Sequence, residues 1–558
     1  MTLDIPETHL LYGFQSAGGH IIPPHYRPKK FSGDTLLWLL PADPEKGQTA
    51  KITCGAYQVN GKKITFIGDY KKEAYPARPA CDFFGKGVEL GIPDGSIFEK
   101  AYARFYWDNL LPQIAERTMM RKKHDIREGY VLSTLSKKAY AGTYPAVDHE
   151  FHMKGRYAVG GAAEAGLIRR MLELQLKIMR EDKTAQSKNV CAVQPSRSRE
   201  YDVWRRSRDL KCKAQMFRVT ANIEFIEAMY NYYCLTKDLD FLRLHIEATE
   251  RNCSYIERFI RPDGLLDSHV YYEDQVMKDG PVVQAQCFAV NSFRLMHKLE
   301  ALLGRKVQAA HYADLAQKLG DALHQFWDEE NGRYIDWVDA KGGTHDHVHL
   351  LANQLPVMLG LASDEQAKRC ADTIRRHSDV FEKFPSFVAA KIEDYTETEI
   401  GVGGPYDLCA AGRYWCWDAE YLAWKKDGEA LLRQLLQVAE QAELDNYLMG
   451  ERYDMNYVYY QNDINWHGAS LYYEYPNVFL YVLVCHYLGV RRGFDCDLVV
   501  NPLFQEGTVA LENYGISYRV NGETLELRNI GQRSLLIDLP RYGQRISLAA
   551  GEIKTIAQ

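Results

Sequence analysis

The sequence predicts a mainly α-helical fold, with a long block of helices between a small N-terminal β-rich region and a C-terminal antiparallel β unit. Three observations predict it. Apolar residues recur at three- and four-residue spacing across much of residues 96–495, which is the period of an amphipathic helix. Residues 1–95 are instead rich in glycine and proline and carry short alternating stretches such as KITCGAYQVNGKKITFIG. Alternation returns in residues 496–558.

In chain order, Asn60-Gly61 between two alternating stretches signals a hairpin. Helices are expected at 162–181, 214–235, 240–259, 283–303, 349–360, 409–425 and 471–488. Tyr312, Leu315, Ala316, Leu319, Ala322, Leu323 and Phe326 form one apolar stripe. Leu431, Leu432, Leu435, Leu436, Val438, Ala439 and Ala442 form another. Ser363 with Gln366 has the spacing of a capping box. No short repeat is present, so stacked helical hairpins are expected rather than a solenoid. Near the end, Ile516, Tyr518 and Val520 alternate up to Asn521-Gly522, Leu525 and Leu527 alternate after it, and SLLIDLP and RISLAA supply further strands.

Composition excludes some classes. A formal charge of -6 over 558 residues gives no reason to expect a nucleic-acid or membrane-surface partner. No run of about 18 apolar residues occurs, so no membrane span is expected. MTLDIPETHLLYGFQ lacks the basic and apolar regions of a signal peptide, and the 12 cysteines include no C-x-x-C pair. A cytoplasmic protein with reduced thiols is expected, with no cofactor. The 37 tyrosines and 9 tryptophans suit stacking on sugar rings, although aromatics also fill cores.

Four loops concentrate polar and aromatic residues. TYPAVDHEFHMKGRY holds Asp148, His149, Glu150, His152, Lys154 and Arg156. REYDVWRRSRD holds Tyr201, Asp202, Trp204, Arg205, Arg206 and Asp209. SHVYYEDQVMKDG holds Tyr271, Tyr272, Glu273, Asp274 and Asp279. MGERYDMNYVYYQNDINWHG holds Glu451, Arg452, Asp454, Asn462, Asp463, Asn465, Trp466 and His467. Any one of them reads as an ordinary solvated loop. Converging at one end of a barrel of hairpins, they would line a carbohydrate cavity, with Asp148, His149, Arg156, Tyr201, Trp204, Arg205, Tyr272, Trp415, Trp466 and His467 as candidate sugar contacts.

Cleaving a glycosidic bond takes one protonated and one ionised carboxyl on opposite sides of it. Crowding Glu273, Asp274 and Asp279 beside two tyrosines should raise at least one of their pKa values, which suits a general acid. Asp274 is the first choice, and Lys278 opposes this if it points inward. The competing reading is that these carboxylates are solvated and Asp279-Gly280 is a turn. Glu451 is the second carboxylate, with Gly450 allowing close approach of the backbone to a ligand. Its competing reading is a surface pair with Arg452.

GERYDMN followed by NWHGASLYYEYPNVFLYVLVCHYLGV resembles the last hairpin of the six-hairpin glycosidases, which include glucoamylases, trehalases, processing α-glucosidases and α-L-rhamnosidases. GRYWCWDAEYLAWKKDGEALL resembles the preceding hairpin, and SHVYYEDQVMKDGPVVQAQCFAVNSFRLMHKLEALLG resembles the acid-bearing loop with its helix. FWDEENGRYIDW resembles the turn after that helix, and TYPAVDHEFHMKGRY the early loop whose aspartate holds the nonreducing-end sugar. The likeness covers roughly residues 96–495. It implies an (α/α)6 barrel, an inverting mechanism, Glu451 as general base and Asp148 as a sugar contact. The acid loop departs from the family motifs, so Glu273, Asp274 and Asp279 all stay open as the acid.

The expected activity is a glycoside hydrolase removing a terminal sugar from an oligosaccharide or small glycoside. Two alternatives compete. A sugar epimerase of the same barrel type would use histidines, for which His149, His152, His269, His345, His347, His349 and His467 are candidates. A noncatalytic carbohydrate-binding protein would keep the aromatics without the carboxylates. A phosphorylase is disfavoured because such enzymes usually carry a much larger N-terminal β domain. THDHVHL places His345, His347 and His349 at alternating positions, yet with no evident fourth ligand nearby no metal is expected there.

Overall fold

The computed structural model describes residues 87–114, 131–136, 140, 142–194, 196, 198–453, 469 and 471–557, together with short strands at 12–14, 20–22, 55–60 and 63–69. The hairpin expected around Asn60-Gly61 pairs Gly55–Asn60 with Lys63–Asp69.

The fold is mainly α-helical. Among the described residues the helices are α1 (Gly95–Phe105), α2 (His149–Val159), α3 (Ala162–Glu181), α4 (Thr220–Thr236), α5 (Leu239–Glu257), α6 (Val283–Leu302), α7 (Lys306–Asp321), α8 (Leu350–Met358), α9 (Asp364–Arg376), the single turn α10 (Ser378–Phe381), α11 (Gly412–Trp424), α12 (Gly428–Leu444) and α13 (Glu474–Tyr481). The stripe from Tyr312 runs through α7 into the 3-10 turn at Ala322–Phe326, the stripe from Leu431 lies in α12, and their apolar positions are mostly buried. The capping box forms at the start of α9: the Ser363 hydroxyl accepts from Gln366 N–H at 3.2 Å, and the Gln366 side-chain Oε1 accepts from Ser363 N–H at 2.9 Å.

One expectation fails at its start. The helix expected from residue 214 begins at Thr220, because Lys213–Met216 is a strand paired with Val203–Arg206. Apolar spacing cannot register that pairing, which depends on residues outside the window.

Helix packing is tight where side chains are small. A Cβ on Gly155 of α2 would lie 2.7 Å from the Asn477 Cα, so α2 and α13 approach backbone to backbone. Gly412, which opens α11, likewise sits where a Cβ would be 3.0 Å from Tyr475 N. These approaches bring the starts of three helices together, and Asp148, Arg413 and Glu474 stand at those starts.

The C-terminal strands form two sheets. Val88–Gly91, Glu506–Leu511, Ile516–Asn521, Thr524–Asn529 and Ile553–Ala557 make an antiparallel sheet, so a strand ahead of the helical block joins the end of the chain. The second sheet contains Val490–Arg492, Leu498–Val500, Leu535–Leu539 and Gln544–Leu548. Leu498–Val500 runs parallel to Leu535–Leu539, so the unit is not wholly antiparallel. The inward residues of both sheets join one hydrophobic core that continues through the helices.

Candidate active site

The segment after α5 is anchored by its tyrosines. Tyr271 and Tyr272 are buried among Phe151, Phe288 and Trp417. The Tyr272 hydroxyl donates to the Val147 carbonyl at 2.9 Å and also meets Glu224. Backbone bonds hold both flanks: Phe217 N–H donates to the Val270 carbonyl at 3.0 Å, and Met277 N–H to that of Glu399 at 2.7 Å.

Beyond these anchors the two neighbouring carboxylates part. Asp274 enters a cavity, where it accepts from the Tyr406 hydroxyl at 2.8 Å, Gln275 Nε2 at 3.0 Å and Arg205 Nη2 at 3.3 Å. Glu273 turns into the protein and is fully buried, 2.7 Å from His349 Nε2 and 3.4 Å from Lys278 Nζ. Lys278 does point inward, and it also meets Asp336 at 2.8 Å. Asp279 is half-buried and accepts from Ala340 N–H at 3.4 Å. Glu273 and Asp279 are therefore not among the residues lining this cavity.

Glu451 follows α12 at the start of a short pairing between Arg452–Tyr453 and Ala410–Ala411. It is buried rather than a surface residue. Its Oε1 lies 2.8 Å from Arg452 Nη2 and 3.5 Å from Arg413 Nη2, and its Oε2 accepts from Ala469 N–H at 2.8 Å. Arg452 also holds Asp407 at 2.8 Å, and Arg413 also pairs with Glu474 at 2.5 Å.

The cavity encloses about 120 Å³, several times what one water requires. Asp148, Glu200, Asp274 and Glu451 line it beside Arg205, Arg413 and Arg452, with Tyr140, Tyr272, Tyr472 and Phe217 as aromatic walls. Asp148, immediately before α2, accepts from the Tyr472 hydroxyl at 3.2 Å. Asp407 lies just behind Asp274. It is fully buried and accepts from Gln275 N–H at 3.1 Å.

Electrostatics divide these acids. Burial acts to raise the Asp274 carboxyl, but Arg205 and then Arg452 outweigh it and hold it below its usual value. The upward shift expected from crowding is absent there, because the crowding acids turn away and guanidiniums stand in their place. Burial also opposes the charge on Glu273, yet Lys278 and His349 hold that carboxyl well below its usual range. Asp407 goes the other way: burial pushes it up to about 8 against the pull of Arg452, and the neighbouring Asp274 carboxylate adds to the rise. Burial likewise raises Asp148 despite Arg413.

Of the expected sugar contacts, Asp148, Arg205 and Tyr272 line the cavity. The others named here do not. His149 is buried with Nδ1 at 2.5 Å from the Ala146 carbonyl, and burial takes its pKa down to about 4. Arg156 is buried and donates to Glu164 at 2.7 Å and the Leu110 carbonyl at 2.8 Å. Tyr201 donates to the Ile178 carbonyl at 2.8 Å. Trp204 is 41% exposed, with Lys213 over its ring. Trp415 is buried and donates to Gln434 at 3.1 Å. In α2 and α11 these side chains fall on helix faces turned away from the cavity. Trp466 and His467 lie outside the described residues.

Sequence reading missed Asp407, Arg413, Glu200 and Tyr472. Arg413 was within reach: it lies in the GRYWCWD segment, two residues before Trp415, at the start of α11. Asp407 carried no local signal, since its place is set by contacts with residues distant in the chain.

Comparison places this architecture beside those of two rhamnosidases. The structure resembles a GH78 family rhamnosidase of Bacillus sp. GL1, with TM-score 0.52 and 16% identity over 82% of this chain and 42% of that one. It also resembles the α-L-rhamnosidase of Streptomyces avermitilis complexed with L-rhamnose, with TM-score 0.53 and 14% identity over 84% and 42%. At such identities the likeness is one of fold, and it agrees with the resemblance to six-hairpin glycosidases. In sequence, the chain is 25% identical to N,N'-diacetylchitobiose phosphorylase of Vibrio proteolyticus over 266 residues, 43% of this chain and 32% of that protein. The matches thus span about a third of the curated relative and about two fifths of the rhamnosidases. No family model matches the sequence.

Proposed function

We propose that this protein is a glycoside hydrolase that removes a terminal sugar from an oligosaccharide or small glycoside. The observation that carries the reading is that Asp274 and Glu451, far apart in sequence, line one cavity together with arginines and aromatic walls. Asp148 and Arg413 bind sugar hydroxyls. Glu451 is the general base, its charge oriented by Arg452, Arg413 and the Ala469 amide so that a lone pair faces a water. Asp274 is the general acid. Asp407 keeps a proton at neutral pH and hydrogen-bonds Asp274, so the pair holds one proton, which shifts onto Asp274 when sugar displaces Arg205. A carboxyl separation of about 6.5–9.5 Å would admit a water and invert the anomeric centre. The helices close as an (α/α)6 barrel, divided from its flanking units near residues 95 and 495, and the protein works in the cytoplasm. No helix among the described residues is long and apolar enough to cross a membrane.

Phosphorolysis is the second reading, favoured by the chitobiose phosphorylase relative. The charge of the cavity speaks for water instead. Among the described lining residues four carboxylates face three arginines, and each arginine is already paired with a carboxylate. Among those described residues a phosphate dianion would find no spare cation. An epimerase using histidines finds none among the described lining residues.

A panel of aryl glycosides and disaccharides, assayed with and without phosphate, tests this. Hydrolysis independent of phosphate is expected, with the first-formed anomer inverted by NMR. Release of a sugar phosphate, isomerisation of free sugar, or no turnover on any member would each overturn it.

A further inference from the structure

We propose that His345, His347 and Glu399 form a binding site for one divalent first-row cation, with zinc the best-fitting ion. Its residues do not line the cavity, and Glu399 is bonded to the backbone that follows Asp274.

The donor atoms already converge. His345 Nδ1 lies 2.5 Å and His347 Nε2 2.9 Å from the same Glu399 oxygen, Oε1. One ligand atom from each residue lies within 4.8 Å of the other two. Tetrahedral bonds of about 2.0 Å place ligand atoms about 3.3 Å apart, so small side-chain rotations seat an ion. Two imidazoles and a carboxylate, with a fourth position left for water, are a donor set that zinc accepts.

The rings are held in place for this. Trp337 stacks on His345 at 4.1 Å, and Tyr395 stacks on His347 at 3.8 Å. The other nitrogen of His345, Nε2, faces Asp339 Oδ2 at 3.5 Å. Asp339 is itself fixed by the amides of Lys341 and Gly343, each at 2.8 Å. A carboxylate behind a ligating imidazole sets its tautomer and strengthens it as a donor. The free Glu399 oxygen is held by Thr396 N–H at 2.7 Å. The two histidines remain partly exposed, at 24% and 12% of their side chains, so an ion can enter from solvent. His349, third of the alternating histidines, takes no part because it pairs with Glu273.

The site would act on the neighbouring loop. Residues 399–401 are stitched to residues 275–277: Met277 N–H donates to the Glu399 carbonyl, and Gly401 N–H to the Gln275 carbonyl, each at 2.7 Å. A cation joining Glu399 to the strand at Thr344–His345 braces the backbone that follows Asp274.

The test uses the tag-free full chain, stripped with chelator and dialysed against ZnCl2, then desalted and analysed for metal. One zinc per chain is expected, with a rise in thermal midpoint of several degrees. In His345→Ala/His347→Ala and in Glu399→Gln, retained zinc should fall at least tenfold and the midpoint should not respond. Titration of the stripped wild type with CoCl2 should give ligand-field absorption that saturates at one equivalent, a readout that does not depend on the variants folding. Wild type that retains no zinc and gives no saturable cobalt band, a hydrogen-bonded triad only, would overturn the proposal. So would folded variants that keep the full equivalent.

Discussion

Glu273 and Asp274 are neighbours in sequence and opposites in setting. Asp274 stands in a cavity, held by a tyrosine hydroxyl, an amide and a half-exposed arginine. Glu273 is sealed behind it with Lys278 and His349, and Lys278 is shared with Asp336. Both carboxyls are held below their usual pKa, but by different means. The charge on Asp274 rests on groups that a ligand can displace, whereas the charge on Glu273 rests on partners no ligand can reach. A lowered pKa alone therefore does not separate a working acid from a structural one; access and replaceable partners do.

The largest effect should come from the cavity side of this contrast. Glu451→Gln and Asp274→Asn are each expected to lower turnover by about 10²–10⁴-fold. The Asp274→Asn loss should be greater for alkyl glycosides than for activated aryl glycosides, whose leaving groups need little protonation. Steady-state kinetics on both classes decide it, and equal losses would clear Asp274 of the acid role.

Next in size is the sealed side. Glu273→Gln leaves buried Lys278 with less compensation and should cost about 3–5 kcal/mol of stability, while the folded enzyme keeps its turnover within a few-fold. Glu273 is lowered in the folded state, so its stabilisation is complete above the unfolded value of about 4.3 and is lost as pH falls below it. The stability gap between wild type and Glu273→Gln should accordingly be constant near neutrality and narrow in acid. Denaturant unfolding at several pH values reads this directly, and a gap that widens in acid would show the sign to be wrong.

Asp407 tests the link between the two carboxyl settings. Its folded pKa is raised to about 8, so folding takes up a proton between the unfolded value of about 3.9 and pH 8. Stability contributed by this group is present in acid and is lost as pH rises through that window, by up to about 1.4 kcal/mol per pH unit. Asp407→Asn should flatten that slope and, by taking away the shared proton, move the alkaline fall in activity from near pH 8 to lower pH. An unchanged alkaline limb would show that the Asp274–Asp407 pair does not supply the proton.

The smallest effect belongs to Asp279, the third acid of the segment. Half-buried and bonded only weakly to Ala340 N–H at 3.4 Å, it should tolerate Asp279→Ala within about 0.5 kcal/mol and with ordinary turnover. A large loss of activity there would place the cavity wrongly.

Local pattern alone determined the elements whose cause is local. The stripes of α7 and α12, the capping box at Ser363 and the alternating strands after residue 515 are all written in spacing, because an amphipathic helix or strand must repeat its apolar residues at its own period. The four polar loops were legible as candidates in the same way, and Asp148, Arg205, Tyr272, Asp274 and Glu451 do line one cavity. Tertiary structure decided the rest. It split Glu273 from Asp274, turned His149, Arg156 and Trp415 away from the cavity, and brought in Asp407 and Arg413. The physical reason is that spacing records which face of an element is apolar, whereas the use of a buried charge is set by which distant partner meets it, and by whether water or a ligand can take that partner's place.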